Sequence, residues 1–240
     1  MGALPAVRQR AAKKAEFRIA RMIKAVSFDF DGTLVRSNAI KQNAYYEATE
    51  TLGHGGVLGR VLSSTPGDRR AVLGKFVEEL AEKGLIPRRR KKECVDRLVR
   101  AYTRICVSRI SACPEVAGTS KALAALRQSG KKLFLNSATP LAGLLPVLEK
   151  RKWRGYFDDV YGAHGKKAAY LRKIMAKCAI GAAELLHVGD GEDDRLAAEE
   201  VGCRFLAVKR RCSPFAVPPE REVANLTSLA REIGKMEQDR

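Results

Sequence analysis

Five short apolar runs, each bounded by turn-forming residues, recur along the chain: "AVSFDF" (25–30), "KLFLNS" (132–137), "DDVYGA" (158–163), "ELLHVGD" (184–190) and "CRFLAVK" (203–209). Runs of this length are the pattern of strands covered on both faces, as in a parallel sheet. Between the later runs the apolar spacing changes to three and four, which predicts helices at "TSKALAALRQSG", "PLAGLLPVLEKR", "KKAAYLRKIMAKCA" and "DDRLAAEEVG". Strand and helix in alternation predict an α/β fold built on a doubly wound parallel sheet.

Residues 39–114 break the alternation. "AIKQNAYYEATETLG", "GDRRAVLGKFVEELAEKG" and "KKECVDRLVRAYTRICVSRI" are amphipathic helical patterns with no strand between them. They predict an all-helical domain, 39–114, inserted into a core made of 25–38 and 115–240. Tyr45, Tyr46 and Phe76 are expected to pack in its helix core rather than to form a stacking platform.

Composition adds three constraints. Across 240 residues, 45% of them apolar, no run is apolar enough to cross a bilayer, so no membrane role is expected of the body of the chain. Six cysteines without a CxxC pair point to reduced thiols and a cytoplasmic setting. The net charge of +18 is unevenly placed: seven Lys and Arg stand against one acid in residues 1–24, and fifteen against eight in 39–114. The first stretch is expected to be a basic leader helix. The second makes anions natural company, nucleic acid included, although no nucleic-acid motif is present and aromatic residues are sparse.

In a parallel sheet the ligand lies beyond the carboxyl ends of the strands. The residues standing there are Asp29 and Asp31, then Ser137, then Lys166 or Lys167, and finally Asp190, Asp193 and Asp194. Carboxylates brought together repel unless a cation joins them, and a hard, oxygen-seeking ion such as Mg2+ suits that donor set. A hydroxyl and an ammonium beside them suit phosphoryl oxygens. One carboxylate can then attack phosphorus while the other hands a proton to the leaving oxygen. His187 lies inside an apolar run and is expected to pack in the core; His54 and His164 fall in loops without metal-ligand spacing.

"DFDGT" after a strand, a strand ending in serine, a lysine opening a helix and "VGDGEDD" after a further strand resemble, in order and spacing, the four motifs of the haloacid dehalogenase superfamily. The helical insertion resembles that superfamily's first type of cap. The resemblance implies a Mg2+-dependent phosphatase, similar to phosphoglycolate phosphatases, acting on a small phosphate ester. It implies Asp29 as nucleophile, Asp31 as acid and base, and Gly32, Thr33, Ser137, Ala138 and Lys167 around the phosphate. The metal would be held by Asp29, Asp31, Asp190 and Asp194, with Asp193 a helix-start acid. The acid at Asp31 distinguishes phosphoryl transfer from dehalogenation, whose leaving halide needs no proton. Lys166 and Lys167 both occupy the lysine position, and the distance to Tyr170 and Leu171 favours Lys167. Alternatives of the same chemistry or charge are a phosphomutase and a polynucleotide-end phosphatase or nucleic-acid-binding protein using the basic insertion.

Overall fold

The computed structural model describes residues 22–65, 68–163 and 165–238. The expected leader helix lies, as far as residue 21, outside the described residues, as does His164. In chain order the elements are β1 (Ala25–Phe28), α1 (Asn38–Thr49), α2 (Gly55–Ser64), α3 (Arg69–Glu82), α4 (Lys91–Ile110), α5 (Thr119–Gln128), β2 (Lys132–Asn136), α6 (Leu141–Lys150), β3 (Asp159–Tyr161), α7 (Lys167–Cys178), β4 (Leu185–Gly189), α8 (Glu192–Val201), β5 (Arg204–Val208), β6 (Glu222–Val223) and α9 (Leu229–Gln238), with short 3-10 turns between some of them. The chain divides into two compact units, one running up to Arg36 and resuming at Pro114, the other Ser37–Cys113.

The helical unit is organised around α4, which packs against both α1 and α3. Leu73, Phe76, Leu80, Leu98 and Tyr102 are buried there, and the Tyr45 ring lies 4.4 Å from that of Tyr102. Tyr46, expected in the same core, is instead 42% exposed. One residue along a helix is a turn of about 100°, so two adjacent tyrosines cannot both face inward. Asp68 caps α3 by accepting from the Arg70 and Ala71 amides at 2.9 and 3.0 Å. Helix α2 has no counterpart in the sequence reading, because it contains Gly55, Gly56 and Gly59. Each glycine costs a helix about 1 kcal/mol. Burial of Val57, Leu58 and Val61, at about 1.5 kcal/mol or more per side chain, outweighs that cost.

The other unit holds a six-stranded sheet, ordered β3-β2-β1-β4-β5-β6, with every pair parallel. All residues of β1 and β4 are buried, which explains why both read as mostly apolar runs without alternation, Ser27 and His187 being the polar exceptions. After β3 the chain returns through α7 to the far side of β1. The strand order therefore reverses between β1 and β4, and a crevice opens at their carboxyl ends. Strand β6 was not anticipated, since two residues carry no period. Helix α9 was also missed, although it buries Leu229, Ile233 and Met236 on one side.

Candidate active site

Strand β1 delivers the first carboxylate. Asp29 follows its last residue and keeps the ladder going, its amide donating to the Val188 carbonyl at 2.9 Å. The chain then folds back: the Leu34 and Val35 amides donate to the Phe30 carbonyl at 2.9 and 3.2 Å, and the Gly32 amide to that of Val35 at 2.8 Å. Gly32 sits at φ 85°, where a side chain would be strained. The turn brings Thr33 inside, and its hydroxyl donates to Asp190 Oδ1 at 3.3 Å. Asp31 points elsewhere: its Oδ2 accepts from the Thr139 hydroxyl at 2.6 Å.

Strand β4 and the start of α8 deliver Asp190 and Asp194. The Asp194 side chain curls back onto the strand end, where Oδ2 accepts from the Gly191 amide at 3.2 Å. A β-carbon on Gly189 would lie 2.3 Å from Asp194 Cγ, so only glycine allows this approach. His187, fully buried on β4, donates from Nε2 to Asp194 Oδ1 at 2.8 Å, while its Nδ1 lies 3.2 Å from the Ser27 carbonyl. It is a core residue, as expected, and it also braces a site carboxylate.

The lysine comes from the first position of α7. Lys167 Nζ reaches Asp29 Oδ1 at 3.1 Å, Asp194 Oδ1 at 2.5 Å and Asp193 Oδ2 at 2.9 Å. Lys166, one residue earlier, is exposed. The helix start is tied to the sheet by Asn136, whose side-chain amide donates to the Lys167 carbonyl at 3.1 Å. Ser137, buried just after β2, accepts the Thr139 amide at 3.1 Å through its Oγ. Ala138 follows on the exposed side of that turn.

Charge is unequally shared among these groups. Burial pushes the Asp29 carboxyl well above its usual range; Lys167 pulls it back, and Asp194, Asp190 and Asp31 add to the rise. Burial acts the same way on Asp194, but the Lys167 ammonium and the His187 hydrogen bond overcome it and hold that carboxyl at about 2. Burial disfavours the Lys167 ammonium, yet Asp194, Asp29 and Asp193 together raise its pKa well above the ordinary lysine value. Asp194 has two close donors on one oxygen and Asp29 a single longer one, which accounts for the difference.

Asp29, Asp190 and Asp194 each present an oxygen, all within 4.8 Å of one another, from buried side chains. The Lys167 ammonium and the Arg210 guanidinium, whose Nε lies 3.2 Å from Asp190 Oδ2, do not balance three carboxylates. An all-oxygen donor set with surplus negative charge fits a hard divalent cation. The Asp31 carboxylate, expected among the metal ligands, is not one of the three that converge.

Three neighbours of the site escaped the sequence reading as site residues. Thr139 holds Asp31; His187 holds Asp194; and Arg210, two residues beyond β5, places Nε 3.2 Å from Asp190 Oδ2. Thr139 lies two residues after Ser137, in a turn, and only that adjacency could have signalled it.

Residues 23–202 match the family model of the haloacid dehalogenase-like hydrolases. The phosphoglycolate phosphatase of Vibrio vulnificus is 30% identical, over 75% of this chain and 81% of that enzyme. Two solved structures share the fold: a predicted phosphoglycolate phosphatase from Haemophilus somnus (TM-score 0.69, 16% identity, 88% of this chain and 97% of that one) and CbbY from Rhodobacter sphaeroides in complex with phosphate (TM-score 0.65, 18% identity, 87% and 96%). With three quarters of its length matched by the family model and its acidic site at the switch point of the sheet, the chain belongs to the haloacid dehalogenase-like hydrolases.

Proposed function

We propose that this hydrolase is a Mg2+-dependent phosphatase that cleaves a small phosphomonoester, of the phosphoglycolate or sugar phosphate class, through an aspartyl-phosphate on Asp29. The observation that carries the reading is the junction of Asp29, Lys167 and Asp194 beside Asp190, at the carboxyl ends of β1 and β4. The names of its relatives support the substrate class.

Asp29 attacks phosphorus as a carboxylate, forming the acyl phosphate as the ester P–O bond breaks. Asp31, oriented by Thr139, gives its proton to the departing alkoxide and afterwards takes one from the water that attacks phosphorus, regenerating Asp29 and releasing phosphate. Lys167 steadies Asp29 and offsets charge on the phosphoryl oxygens, with the Ser137 hydroxyl and the amides of Thr33 and Ala138 as hydrogen-bond donors, while Gly32 shapes the turn that presents them. Held by Asp29, Asp190 and Asp194, Mg2+ would neutralise the phosphoryl charge and favour the ionised form of Asp29. The six free thiols support a reducing, cytoplasmic setting, and no described helix is long and apolar enough to cross a membrane.

The test is free-phosphate release from a panel of phosphomonoesters with and without MgCl2. Mg2+-dependent turnover of small esters is expected; no release from any of them would overturn the reading.

A further inference from the structure

We propose that Arg210 and a divalent cation are alternative partners of Asp190, so that metal entry requires the arginine to let go. The inference rests on the reading of Asp190 as a metal carboxylate. Lys167 covers Asp29 and Asp194. At Asp190 Arg210 is the cation among the described residues, Nε to Oδ2 at 3.2 Å, while Oδ1 accepts from Thr33. The Asp190 side chain is 5% exposed and that of Arg210 34%, so the guanidinium reaches into the site from its rim.

The placement follows from the sheet. Strands β4 and β5 pair Gly189 with Ala207, which sets Asp190, the first residue past β4, level with Val208, the last of β5 and two before Arg210. The Ala207 and Lys209 amides donate to the Arg221 and Val223 carbonyls at 3.0 and 2.9 Å, anchoring the backbone that leads to Arg210. The backbone is therefore fixed while the long side chain stays partly in water and can swing outward. A guanidinium and a divalent cation on one carboxylate repel each other strongly at such short range. With Oδ1 engaged by Thr33, a metal on Oδ2 takes the place of the arginine. The arginine thus offsets the charge of Asp190 before metal arrives, and it weakens metal affinity by having to be displaced.

Calorimetric titration of the full chain with MgCl2, and separately with MnCl2, tests this. Arg210→Ala and Arg210→Gln should each bind metal more tightly than wild type, by about threefold to tenfold, the scale of a partly exposed ion pair plus its longer-range repulsion. Arg210→Lys, which keeps the charge, should stay near wild type. Melting curves check that each variant is folded. If wild type binds metal and both neutral variants bind equally or more weakly, the competition is refuted while the metal site stands. If neither wild type nor variants take up Mg2+ or Mn2+, the metal-site reading falls and this inference with it.

Discussion

Lys167 Nζ lies 3.1 Å from Asp29 Oδ1 although 138 residues separate the two in the chain, and the same ammonium reaches Asp194 and Asp193. One side chain therefore ties the end of β1 to the starts of α7 and α8. Removing it leaves buried carboxylates without their nearest cation, so Lys167→Ala should cost about 3–5 kcal/mol of stability and at least about a hundredfold in kcat. Lys166→Ala, at an exposed position, should stay within about 0.5 kcal/mol and near wild-type rate. Denaturant melts and turnover of the two variants side by side check this; the reverse pattern would put the wrong lysine in the site.

Asp29→Asn should abolish turnover, because an amide is a very poor nucleophile. Its effect on stability should have the opposite sign. Burial and neighbouring carboxylates raise the folded pKa of Asp29. Above that pKa the ionised group destabilises the metal-free fold, and the amide removes the penalty. Thermal melts without metal should therefore show the variant above wild type, by about 2–4 °C for each kcal/mol relieved. Added MgCl2 should then stabilise wild type more than the variant. A variant that melts lower without metal would contradict this electrostatic picture.

Asp194 works the other way. Its folded pKa, about 2, lies below the ordinary 3.8. It thus contributes about 2 kcal/mol that is present above pH 4 and is lost as pH falls through the folded value. Asp194→Asn should flatten the stability profile between about pH 4 and pH 2. Urea melts across that range make the comparison, and an unchanged acid limb would remove Asp194 from the account.

The sheet was legible because β1 and β4 are buried along their whole length and so read as apolar runs. The ends of those runs led directly to Asp29 and Asp190, and the run at 158–163 led to the lysine. What stayed hidden depends on groups far apart in sequence or on burial that offsets poor local propensity. Thr139 meets Asp31 across 108 residues and His187 sits in a run that reads only as core. Arg210 lies in a basic stretch after β5, and its partner is set by strand register. Helix α2 carries glycines that local preference argues against, and β6 is too short to show a period.

The central claim is that Asp29 becomes phosphorylated. The direct measurement is to mix the enzyme with a turned-over phosphomonoester and MgCl2, quench in mid-turnover, reduce with borohydride and sequence the peptides by mass spectrometry. An acyl phosphate at Asp29 would be reduced to homoserine at that position alone, only when substrate and metal are both present, and not in Asp29→Asn. Homoserine at another aspartate, or unmodified Asp29 in an enzyme that is demonstrably releasing phosphate, would contradict the account.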